Sequence, residues 1–85
     1  MNDETAHIIS MLTIDIAEIQ NKQHKPFNPK TATPDEILVF GTHLGLNLAL
    51  GRIYEMEMHE NMSVAGPVKI LEWAKNIRAR VIGAN

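Results

Sequence analysis

The sequence predicts an all-α fold: a three-helix domain with a long or kinked central helix, packed as a homodimer or higher oligomer. Three observations predict it. Apolar residues recur at steps of three and four, the period of a helical stripe. No segment sustains the period-two alternation of a half-buried strand. Proline and capping signals divide the 85 residues into three helical stretches, about 3–22, 34–61 and 66–82. A chain of this length makes one domain, 1–85, and only one modest core.

The first helix is expected over 3–22, where Ile8, Ile9, Leu12, Ile16 and Ile19 form the stripe and Met11 and Ile14 widen it. Asp3 and Glu4 complement the positive helix N-terminus, and Asp15 and Glu18 mark the wet side. The segment His24-Lys25-Pro26-Phe27-Asn28-Pro29-Lys30 then interrupts the pattern. Each proline biases its predecessor away from helical geometry, so residues 23–33 read as an intradomain connector pinned by Phe27.

The second helix carries the clearest start signal. Thr33-Pro34-Asp35-Glu36 is a capping box with proline at the first helical position. Helical character continues to Asn61, and a straight helix over 34–61 would measure about 42 Å, against roughly 30 Å for the diameter of a compact domain this size. It must therefore kink or break, near Gly45 or Gly51, or project and be covered by another subunit. After the turn Asn61-Met62-Ser63-Val64-Ala65-Gly66-Pro67, Ser63 or Gly66 is expected to cap the third helix. Val68, Ile70, Leu71, Trp73, Ala74, Ile77 and Val81 give that helix a broad apolar face, and Gly83 is its stop.

Composition narrows the function. Hydrophobic residues make up 45% and charged residues 21%, which argues against disorder. The net charge of −2 disfavours a general nucleic-acid or anionic-membrane binder. Successive segments 1–20, 21–34, 35–62 and 63–85 carry −4, +3, −4 and +3, an alternation that suits internal complementarity. Without cysteine there is no disulfide scaffold or thiol chemistry. The N-terminus lacks the pattern of a signal peptide, and the apolar stretch Ile37–Leu50 is short for a membrane span, so a cytoplasmic protein without membrane contact is expected.

The small-residue stripe Gly41, Gly45 and Ala49 is the most informative candidate site. Each glycine costs about 0.5–1 kcal/mol in a helix interior, so two on one stripe suggest a bare backbone kept for a closely packed neighbour. That neighbour is either another helix of this chain or another subunit. The expected interface is Gly41, Leu44, Gly45, Leu48, Ala49 and Met56. Glu55 and His59, one turn apart, resemble half a metal site, with Met56, Met58 and Met62 nearby. Zinc needs three or four ligands, and position 63 is serine where an H-E-x-x-H motif needs its second histidine. Methionines at this spacing more often give pliable packing. His43 and Asn47 either hydrogen-bond across a helix interface or face water.

At the start of the third helix, Gly66 and Lys69, with Lys75, Arg78 and Arg80 further along, offer an anion site. A helix-turn-helix reading shares these cations but leaves few positions for base contacts. The sequence carries no enzyme, metal or cofactor signature. It is expected to be a non-enzymatic binding protein, an inhibitor, adaptor or regulator, which self-associates and acts on a protein partner. A sequestering or sensing protein for a small phosphorylated or nucleotide ligand and a DNA-binding regulator are the alternatives.

Overall fold

The computed structural model describes residues 1–23 and 26–83 and is all-helical, with α1 at Asp3–Lys22, α2 at Pro34–Met58, α3 at Met62–Ala65 and α4 at Pro67–Gly83. Four helices stand where three were expected, because the chain turns sooner than its apolar pattern implies. His59 takes a left-handed conformation (φ 54°), and its N–H donates to the Glu55 carbonyl at 3.0 Å, ending α2 three residues before Asn61. Asn61 then caps a separate single turn, α3, through the Ser63 N–H at 2.8 Å.

The other helix starts follow the same chemistry. Asn2 Oδ1 accepts from the Thr5 N–H at 2.8 Å to open α1. Thr33 Oγ1 accepts from the Glu36 N–H and donates to Glu36 Oε1, both at 3.2 Å, with Pro34 in the first turn of α2. Gly66 ends α3 at φ 83°, a conformation that favours glycine, and its carbonyl accepts the first bond of α4 from Ile70. Of the expected caps, Gly66 therefore occupies the position and Ser63 lies within α3.

The core is small. Ile9 and Ile16 of α1, Leu50 and Tyr54 of α2, and Ile70, Ala74 and Ile77 of α4 are its buried apolar residues. α1 makes its most extensive contact with α4 and a lesser one with α2. Its buried face centres on Ile9, Ser10, Thr13 and Ile16, whereas Ile8, Met11 and Ile14 of the expected stripe are exposed. Thr13 is accommodated because its hydroxyl donates to its own helix, to the Ile9 carbonyl at 2.7 Å.

Gly51 does not break α2. A Cβ there would lie 2.5 Å from Met62 Sδ, so the bare backbone lets α3 fold down onto α2. Buried positions in α2 are confined to Leu50, Gly51 and Tyr54. The sixteen residues 34–49 contain none, although they are strongly apolar. The molecule is accordingly extended, at 42 × 30 × 17 Å with a radius of gyration of 14.1 Å, where a compact chain of this length has about 12 Å.

Candidate interaction surface on helix two

The first two thirds of α2 have two unlike sides. One side, with Val39, Phe40, His43, Leu46 and Asn47, is half-buried and turned toward the rest of the molecule. Phe27 of the connector stacks on Phe40 there, with centroids 4.0 Å apart and planes 2° from parallel, so the connector is pinned as expected. His24 and Lys25 lie outside the described residues. The Asn47 side-chain N–H donates to the His43 carbonyl at 2.8 Å. Asn47 thus bonds within α2 itself, and both residues are half-buried.

The other side is open. Ile37, Leu38, Gly41, Thr42, Leu44, Gly45, Leu48 and Ala49 are all exposed, Leu38 by 69% and Leu44 by 56%. At 100° per residue they share an arc of about 160°, and no residue from 37 to 51 is an acid, lysine or arginine. A Cβ placed on Gly41 or Gly45 would meet nothing within 4 Å. Among the described residues no helix fills that stripe, which leaves the other expected neighbour, a second subunit, as a proposal. The expected interface residues Gly41, Leu44, Gly45, Leu48, Ala49 and Met56 all lie on this exposed side. Leu48 also borders an apolar hollow of about 280 Å³ between α2, α3 and α4, floored by Leu50, Gly51, Met62 and Ile70. By length and composition, Pro34–Met58 is also long and apolar enough to cross a membrane.

The elbow after α2 holds the charged residues that looked chemical in sequence. Glu55 Oε2 accepts from the Met62 N–H and Oε1 from Arg52 Nη1, each at 2.9 Å. These bonds, led by that of Met62, hold its carboxyl below the ordinary range. Glu60 Oε1 accepts from the Tyr54 hydroxyl at 2.7 Å and from Lys69 Nζ at 3.0 Å, which lowers its carboxyl and raises the Tyr54 phenol. Tyr54 meets the edge of Trp73 with ring centroids 5.2 Å apart. This arrangement joins α2, the elbow and α4, and sequence reading missed it. Glu55 is occupied by α3, His59 is exposed, and among the described residues no group of three His, Cys, Asp or Glu gathers as a metal would require.

No protein-family model, curated protein or solved structure matches this chain. Its function must be read from these surfaces.

The expected anion site fares differently from the α2 face. Lys69 opposes the α4 dipole, but Glu60 answers its charge within the chain. Helical geometry puts Lys69 and Arg80 on one side of α4, about 16 Å apart, and Lys75 and Arg78 on another side. Arg80 borders a hollow of about 360 Å³ that also contains Asp3. Arg78 is half-buried, and its Nε has no hydrogen-bond partner among the described residues. Gly66 and these four cations do not converge on one point.

Proposed function

We propose that this chain is a non-enzymatic helical binding protein that works by association through the open side of α2, first with its own copies. One observation carries the reading. An uncharged, exposed apolar side runs along residues 37–49 of a helix otherwise built into the fold. Leaving such a surface in water forgoes about 25 cal/mol for every Å² that a partner would bury. The bare backbone at Gly41 and Gly45 supports a partner that approaches as closely as another helix.

Light scattering across a concentration series tests the proposal. The wild-type chain should exceed monomer mass, and Gly45→Leu should return it toward monomer with its helical circular dichroism intact. A strict monomer at high concentration would remove this reading, and an unchanged oligomer in Gly45→Leu would move the interface off α2.

A further inference from the structure

We infer that the occupant of the open α2 face is α2 of a second copy running in the opposite direction, with the twofold axis crossing that face between Gly41 and Gly45, at the level of residue 43. The inference rests on the self-association reading and adds to it the partner element, its direction and its register.

Surface area argues for a protein occupant of this size. A compact monomer of 9.5 kDa exposes about 5,000 Å², whereas this chain exposes 6095 Å². The excess, roughly 1,000 Å², is comparable with the roughly 800 Å² that each partner contributes to a standard stable interface. The α2 face contributes to that excess, since its first sixteen residues bury nothing fully and Ile37, Leu38, Leu44 and Leu48 are all exposed.

Charge argues for the direction. The face is neutral from 37 to 51 and is bounded by Asp35 and Glu36 at one end and Arg52 at the other. Asp35 is exposed, and the Arg52 side chain is 64% exposed despite its contact with Glu55. Two parallel copies would set Asp35 beside its own counterpart and Arg52 beside Arg52, and would align the two helix dipoles. Opposed copies set Arg52 of each beside the acidic first turn of the other, and the dipoles oppose. A twofold interface is self-complementary, as this requires.

Packing argues for the register. Centring the pair on position 43 puts Gly41 opposite Gly45 of the second copy and Leu38 opposite Leu48. Two bare stretches of backbone then meet at the axis, with leucine pairs flanking them. A membrane is a poorer occupant, because Leu50 and Tyr54 are each 1% exposed in the core and α2 would have to leave it in order to span a bilayer.

The chain has no cysteine, so single substitutions report cleanly. Leu38→Cys on a size-tagged copy and Leu48→Cys on an untagged copy are mixed, exchanged and mildly oxidised, alone and together. Opposed helices should yield the mixed disulfide as the main product, with little of either homotypic one, since identical positions lie about 15 Å apart along the axis. Homotypic disulfides without the mixed one would overturn the direction while leaving self-association in place. An oligomer by light scattering that forms neither would overturn this use of α2. A monomer by light scattering with no disulfide would overturn both readings. If that monomer then sediments with phosphatidylcholine vesicles, the face belongs to a bilayer.

Discussion

The Tyr54 hydroxyl and the Lys69 ammonium meet on the same Glu60 oxygen, so one carboxylate joins the end of α2 to the start of α4. Its value depends on protonation. Glu55 and Glu60 are held below the ordinary carboxylate range in the folded chain. Their contribution to stability is therefore present above the unfolded value, near 4.5, and is lost as pH falls through the lower folded values. The melting temperature should fall between about pH 6 and pH 3, and fall less steeply in Glu60→Gln. At the other end of the scale, the Tyr54 phenol and the Lys69 ammonium are both raised, so their contribution is lost as pH climbs above about 10. Tyr54 is the only tyrosine, and the rise in near-ultraviolet absorbance on phenol ionisation reports it alone, because Trp73 does not ionise in that range. Its ionisation midpoint should lie above the ordinary phenol value and move back toward it in Glu60→Gln. A midpoint indifferent to that substitution would mean that the hydrogen bond is absent in solution.

Among the helices, α2 contains three glycines with two different reasons for being there. Gly41 and Gly45 have open space where a Cβ would go, and Gly51 has Met62. At concentrations low enough to keep the chain unpaired, alanine at 41 or 45 should stabilise it by about 0.5–1 kcal/mol in urea unfolding, while weakening the pair at high concentration. At 51 the same gain is offset by the displaced Met62 side chain, and Gly51→Leu should cost about 1–3 kcal/mol through overpacking at the elbow. Equal responses at all three positions would contradict this division. The capping box Thr33–Glu36 was legible because it is local, with donor and acceptor three residues apart. The end of α2 was not, since His59 takes a left-handed conformation that its residue type does not announce. On α1, Ile9 and Ile16 of the expected stripe are buried and Leu12 and Ile19 half-buried; Ile8 alone falls outside, and Ser10 and Thr13 take inward places that their polarity does not announce. Thr13 hides its polarity in its own backbone, and the inward position of Ser10 and Thr13 depends on where α4 lies. The α2 face was legible in its residues, Gly41, Gly45, Ala49, Leu44 and Leu48. Only the fold showed that nothing among the described residues covers them. The Tyr54–Glu60–Lys69 link spans six and nine residues across a turn, beyond the reach of any periodicity.

As a whole, the molecule has too small a core for the apolar surface it carries. Seven buried apolar residues form that core among the described residues, and one side of α2 lacks cover from them. Pairing would supply it, and the stability of a paired fold depends on concentration. A tenfold increase in protein should stabilise the folded pair by about 1.4 kcal/mol per dimer and raise the melting temperature measurably. A melting temperature independent of concentration over two decades would count against association. The same economy of core has a consequence for the order of events in folding. The chief partner of α1 is α4, which is synthesised after both α1 and α2, and Ile9 and Ile77 lie 68 positions apart in the same cluster. While a ribosome is still making the chain, α1 and the apolar length of α2 are complete before their main support exists. The native core closes only once Ile70, Ala74 and Ile77 have emerged, so α1 and α2 should stay unsupported on the ribosome until α4 is out, and the core should then form through contacts distant in sequence.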